Sequence, residues 1–180
     1  VRLFFAAFPG PEGRRNIGAA ASALNLSPES PDARLVPAAN YHLTLAFAGD
    51  VSNAQAAALR SAGAPLRCAA FEVRFDAYEH WPKSAVVVAA ASEPPAALIE
   101  LRRLLCVELD RIGVAADSHA FRPHVTLARK VVQAPVLKAM SGVSWSIDTF
   151  ELVHSSRSAE GSVYTVVDSW PLLDKDAGTS

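Results

Sequence analysis

A chain of 180 residues, 51% hydrophobic and 19% charged, has the length and apolar content for one domain, or for two small lobes sharing a core. A formal net charge of −1 and a pI near 6.6 exclude an overall positive field that draws in nucleic acid, so any such ligand must be held locally. Cys68 and Cys106 form no CxxC pair, the apolar opening lacks a full signal-peptide plan, and the longest uninterrupted apolar run, residues 85–91, cannot span a bilayer, so a soluble, cytoplasmic monomer is expected.

Residues 3–8 read as a buried strand ended by Pro9-Gly10. Residues 11–25 read as a helix with Ile17, Ala20, Ala21 and Leu24 as its apolar stripe, followed by a surface loop over 27–32. Residues 34–37 form a short strand leading to a strand that starts near His42 and ends at Gly49-Asp50. Ser52-Asn-Ala-Gln55 is a capping-box pattern opening an Ala-rich helix to about Ala62, closed by Gly63 and Pro65. Phe71, Val73 and Phe75 alternate with Glu72, Arg74 and Asp76, and residues 85–91 are expected to partner that strand, with His80-Trp-Pro82 in the connection.

Pro94-Pro95 starts a helix that places Leu98, Leu101, Leu105 and Leu109 on its inner face and stops at Ile112-Gly113. A strand through His124 follows, then a short helix over 136–140. Residues 144–153 read as one strand with Trp145, Ile147, Thr149 and Glu151 on one face, and 163–167 as the last strand after a polar turn through Gly161. Residues 1–173 make one bilobal domain; 174–180 are a polar, fraying tail. Mixed elements with connections too short for parallel crossovers predict an α+β fold: two similar lobes with mainly antiparallel sheets, helices outside, facing across a central cleft.

Two strands share a His-x-Thr-Leu-Ala pentad, at residues 42–46 and 124–128. Alternation sends His42, Thr44 and Ala46 one way and Leu43, Leu45 and Phe47 the other; the second copy does the same with His124, Thr126 and Ala128 against Val125 and Leu127. A single His-x-Thr on a strand is usually structural. Two copies in one frame, 82 residues apart in a 180-residue chain, point to paired lobes with a functional histidine in each.

Two imidazoles in a cleft admit three chemistries. In paired acid–base catalysis one neutral ring takes a proton and one protonated ring gives one, with the Thr hydroxyls holding phosphoryl oxygens and no metal or cofactor required. A zinc site needs at least three ligands, and His42 with His124 supplies two, with His119 nearby in sequence and the cysteines distant. Ser or Cys nucleophilic catalysis lacks a Gly-x-Ser-x-Gly elbow and a His-marked cysteine. The first has the strongest support.

Arg2-Leu-Phe-Phe-Ala, Asn40-x-His-Leu-Thr-Leu-Ala-Phe-x-Gly49, Phe121-x-Pro-His-Val-Thr-Leu-Ala-Arg129, and Ser155-Ser156, Gly161 and Tyr164 in the last hairpin resemble the two-histidine (2H) phosphoesterases, closest to their bacterial LigT-like 2′-5′ RNA ligase branch. The resemblance implies His42 as proton donor, His124 as proton acceptor, and Thr44 and Thr126 as phosphate-holding hydroxyls. It implies opening of an RNA 2′,3′-cyclic phosphate to a 2′-phosphate, with 2′-5′ ligation as related chemistry. The alternatives are a hydrolase of small cyclic nucleotides, such as ADP-ribose cyclic phosphate, and a non-catalytic module binding RNA termini. Arg129 matches the family's arginine after the second motif, although strict alternation turns it away from His124. Tyr164 and Phe47 are candidates for stacking on a base, with Phe47 pulled toward the core by its alternation. His119 stands where relatives carry a longer basic side chain, and His80 and His154 read as incidental surface or loop residues.

Overall fold

The computed structural model describes residues 1–115, 120–158 and 161–173. The chain runs β1 (Arg2–Ala7), α1 (Pro11–Ser22), β2 (Arg34–Leu35), β3 (Leu43–Asp50), α2 (Asn53–Ala62), β4 (Phe71–Phe75), β5 (Ala77–Trp81), β6 (Val86–Ala90), α3 (Ala96–Arg111), β7 (His124–Arg129), β8 (Val143–Ile147), β9 (Thr149–Ser158) and β10 (Gly161–Pro171). The main sheet has the order β10-β9-β1-β3-β7-β6-β5, with β2 also on β7; β4 and β8 form a separate pair. Among the described residues every pairing between these strands is antiparallel.

The two histidine strands touch through one register pair, Leu43↔Val125. On either side of that narrow seam lie β10-β9-β1-β3 and β7-β6-β5, so the fold is α+β in two lobes. The lobes do not follow the halves of the chain. The C-terminal β9 and β10 join β1, and the early β2 joins β7, so each lobe is completed by the other half.

Alternation decides which face each strand buries. Leu3, Phe5 and Ala7 of β1, Leu43 and Leu45 of β3, and Val125 and Leu127 of β7 share one core with all three helices. Leu98, Leu101, Leu105 and Leu109 of α3 are fully buried there, each worth about 1.5–3 kcal/mol of apolar transfer. Ser52 and Gln55 form the capping box at the start of α2, and Gly113, at φ 74°, takes the left-handed position after α3. On the opposite face, Phe4, Ala6 and Val153 in one lobe and Val86, Val88 and Ala90 in the other line the cleft side.

Four expectations change. The partner of β4 is β8, while β6 lies between β5 and β7, because residues 77–81 are themselves a strand and take the edge that β4 was expected to occupy. Residues 136–140 are not helical: Val136 is 81% exposed, and Leu137 and Met140 pack against different clusters rather than along one helix face. Residues 144–153 are two strands broken at Asp148, the first paired with β4 and the second with β1 and β10. The break resets the alternation: Trp145 and Ile147, then Phe150 and Leu152, enter the core, which puts Glu151 out of phase with Trp145. The expected tail lies outside the described residues.

Candidate active site

The Leu43↔Val125 pair sets the geometry of the site. Extending this antiparallel register by one residue each way puts His42 across from Thr126 and Thr44 across from His124. Each histidine therefore faces the other motif's threonine, and all four side chains line one cleft of about 390 Å³.

Both motifs carry a bulge at the same place. Between β1 and β3 the register slips so that Phe5 faces Ala46 and Ala6 faces Thr44, leaving Leu45 unpaired. Between β6 and β7, Val87 faces Ala128 and Val88 faces Thr126, leaving Leu127 unpaired. Each extra residue stands three after its histidine and resets the alternation. Leu45 with Ala46, and Leu127 with Ala128, are consecutive buried pairs, and the next residues, Phe47 and Arg129, return to the cleft face. Two expectations are thereby corrected: Ala46 and Ala128 are buried rather than beside the histidines, and Phe47 leaves the core face. Arg129 reaches the cleft by the same device, and Tyr164 lines it from β10.

The tautomer follows from the partners. His42 Nδ1 lies 2.8 Å from Asn40 O, and His124 Nδ1 lies 2.7 Å from Arg122 O. A carbonyl only accepts, so each Nδ1–H donates, and each ring keeps Nε2 for other partners. The residues supplying these carbonyls are themselves tethered: Asn40 Nδ2 donates to Ser162 O at 3.1 Å, and the Arg122 guanidinium pairs with Glu79. Glu79 Oε2 also accepts from Trp81 Nε1 at 2.7 Å, and Trp81 meets the His124 ring edge-on at 4.4 Å. Around His42 stand Tyr164 at 4.9 Å, Phe4 at 5.3 Å and Phe8 at 5.8 Å, centroid to centroid.

These aromatic walls strip water from both rings. Burial lowers His42 to about 4, helped by the charges of Arg129 and His124 and opposed by the Asn40 carbonyl. Burial also lowers His124, with the Arg122 carbonyl and the Glu79 carboxylate pulling upward. At neutral pH burial therefore favours two neutral imidazoles.

The sequence alone assigns no role to Asn40, Arg122, Glu79 or Trp81. One sign was present: both motifs have a side chain capable of hydrogen bonding two residues before the histidine. His80 is no loose surface residue, since its Nε2–H donates to Val131 O at 2.8 Å. His154 stands on β9 outside the cleft lining, and His119 lies outside the described residues. Among the described residues no three His, Cys, Asp or Glu side chains are grouped to hold a metal, and no helix is long and apolar enough to cross a membrane.

The chain is 34% identical over 173 residues to a protein of Escherichia coli (strain K12) named RNA 2′,3′-cyclic phosphodiesterase, covering 95% of this chain and 96% of that one. A protein of the same name from Thermus thermophilus is 29% identical over 147 residues, covering 76% of this chain and 74% of that one. The crystal structure of E. coli LigT complexed with 3′-AMP superposes with a TM-score of 0.85 at 32% identity, over 95% of this chain and 97% of that one. Residues 12–159 match the 2′-5′ RNA ligase superfamily. With that match spanning most of its length, the chain belongs to the 2′-5′ RNA ligase superfamily of two-histidine phosphoesterases.

Proposed function

We propose that this protein hydrolyses 2′,3′-cyclic phosphate ends of RNA to 2′-phosphates by paired-histidine acid–base catalysis. The observation that carries the reading is the mirrored pair of Nδ1–H donors, which keeps an Nε2 on each ring beside one cleft. In the proposed reaction His124 Nε2 takes the proton of the attacking water while His42 Nε2–H protonates the departing 3′-oxygen. Thr44 and Thr126 donate to the non-bridging oxygens as charge builds. The relatives named RNA 2′,3′-cyclic phosphodiesterase support the substrate class. An RNA 5′-hydroxyl in place of water gives a 2′-5′ linkage, provided the second end is held in position.

One observation favours exchanged roles for the two rings. The Glu79 carboxylate favours protonated His124, whereas the charges acting on His42, those of Arg129 and His124, both disfavour its protonation. A small cyclic nucleotide is a second substrate reading, because a cleft of about 390 Å³ is within the range of small-molecule sites. One experiment addresses both: RNA with a 2′,3′-cyclic phosphate is turned over beside small cyclic nucleotides at matched concentration, with products identified by phosphorus NMR. The expected product is a 2′-phosphate, with RNA preferred and with turnover nearly abolished in His42→Ala and His124→Ala of unchanged circular dichroism. A 3′-phosphate product exchanges the roles, and near-normal turnover in either variant ends the acid–base reading.

A further inference from the structure

The cleft holds more positive charge than one phosphate uses. Arg2, Arg129 and Arg157 all line it, and no Asp or Glu does. None of the three forms an ion pair among the described residues, in a chain whose net charge is −1. They fall into two sets. Arg129, at the end of the second motif, acts electrostatically on both histidines, whereas Arg2 on β1 and Arg157 on β9 stand on neither histidine strand.

The strands place that second set. Arg2 stands two residues from Phe4 on β1, and Phe4 packs against His42, so Arg2 is displaced roughly 7 Å along the same face. Its guanidinium lies over the Phe47 ring at 5.0 Å. On β9, Ser155 faces Tyr164, the ring nearest His42, and Arg157 faces Ser162 one pleat further along. Leu3 faces His154, so the same register brings Arg2 beside Ser155 and close to Arg157. Two guanidinium groups and the hydroxyls of Ser155 and Ser162 thus gather on one rim, a single pleat away from the histidines.

We propose that Arg2 and Arg157 form a second anion subsite, which takes the phosphate on the 5′-oxygen of the same nucleotide whose cyclic phosphate lies between the histidines. This rests on the cyclic-phosphate reading of the cleft. Consecutive phosphates in RNA are separated by one ribose, a spacing comparable with one pleat of a strand. The preferred substrate is then a nucleotide with both a cyclic 2′,3′-phosphate and a 5′-phosphate or phosphodiester, as at the 3′ end of any RNA. A nucleoside cyclic phosphate with a free 5′-hydroxyl leaves the subsite empty.

The test compares adenosine 2′,3′-cyclic phosphate with its 5′-phosphorylated form, in the wild type and in Arg157→Ala. In the wild type the 5′-phosphate should raise kcat/KM about 10-fold, mainly through KM, as expected for exposed charge-assisted contacts. The gain should shrink with added salt. Arg157→Ala should lose most of it while kcat for the 5′-hydroxyl substrate stays within about twofold. Equal turnover of both substrates by the wild type, or equal slowing of both in the variant, overturns the subsite. Calorimetric binding of adenosine 2′-phosphate and adenosine 2′,5′-bisphosphate separates this from the activity itself. Tighter binding of the bisphosphate, lost in Arg157→Ala, supports the subsite even if neither cyclic substrate is turned over, a result that would instead end the proposed function. No preference for the bisphosphate removes the subsite even where turnover is normal.

Discussion

Each histidine is fixed through an oxygen two residues upstream, and this arrangement sets what the rings can do. With Nδ1–H committed to Asn40 O or Arg122 O, protonation changes only Nε2. Catalysis by the pair needs one ring charged and one neutral, yet burial holds His42 at about 4 and His124 below its ordinary value. The free protein reaches the mixed state on the acid side of pH 6.5, so kcat/KM should be bell-shaped with its optimum there. A bound phosphodiester opposes desolvation and raises both rings, so the kcat optimum should lie at higher pH. Profiles on protein dialysed against EDTA check this; activity that vanishes on chelation and returns with zinc or manganese defeats the two-histidine mechanism. Glu79 extends the argument by one residue, because it grips Arg122 and Trp81, which hold His124 by its Nδ1–H and by its ring. We predict that Glu79→Gln lowers the His124 pKa and cuts kcat on the order of 10-fold with little change in KM. Nuclear magnetic resonance titration of the imidazole checks it: an unmoved His124 pKa assigns Glu79 a purely structural part.

At the scale of elements, the strongly patterned segments were legible. The α3 stripe, the Ser52–Gln55 capping box and both His-x-Thr strands stand where alternation and capping place them. All seven residues named as site candidates, His42, Thr44, Phe47, His124, Thr126, Arg129 and Tyr164, line one cleft. What could not be read was the bulge. Strict period-two alternation buries Phe47 and turns Arg129 away, and nothing in Leu45 or Leu127 distinguishes an unpaired residue from a paired one, since both are buried leucines either way. Strand partners were hidden for a related reason: β4 is a half-buried strand and β6 a fully buried one, which pattern alone allows to pair, and only the intervening β5 decides that they do not. Residues 77–81 are half-buried throughout, so their burial shows no alternation to mark them as a strand. The α2 cap supplies a prediction distant from the chemistry. Ser52→Ala removes the acceptor for Gln55 N–H and should cost about 1 kcal/mol in urea denaturation with kcat unchanged. A loss of activity at full stability would show that α2 reaches the cleft in a way its packing on the far face does not suggest.

Across the whole molecule, two buried titratable groups oppose each other as pH changes. His42, lowered from 6.5 to about 4, stabilises the fold as a neutral ring. Its contribution is complete above pH 6.5 and is lost as pH falls toward 4, because the unfolded chain binds the proton first. Glu151 on β9 runs the other way. Burial raises it from 4.5 to about 7, and its Oε2 is buried without a hydrogen-bond partner among the described residues. A carboxyl raised in the fold contributes most below pH 4.5, and that contribution is lost as pH rises through 7. The His42 shift corresponds to roughly 3 kcal/mol and the Glu151 shift, reduced by solvent screening of a partly exposed carboxyl, to roughly 2 kcal/mol, so between pH 7 and 4 the gain at Glu151 offsets part of the loss at His42. Glu151→Gln keeps the shape of the neutral acid and removes its titration. The variant should be more stable than the wild type by roughly 2 kcal/mol at pH 8, where the wild type buries a carboxylate, and the two should converge near pH 4–5. The variant should then show the acid-side loss of the histidines uncovered, a steeper fall below pH 6.5 than the wild type. Urea denaturation of both proteins across this range is the measurement. A stability difference that stays constant with pH means Glu151 does not change protonation on unfolding there, and the offset between the two groups does not exist.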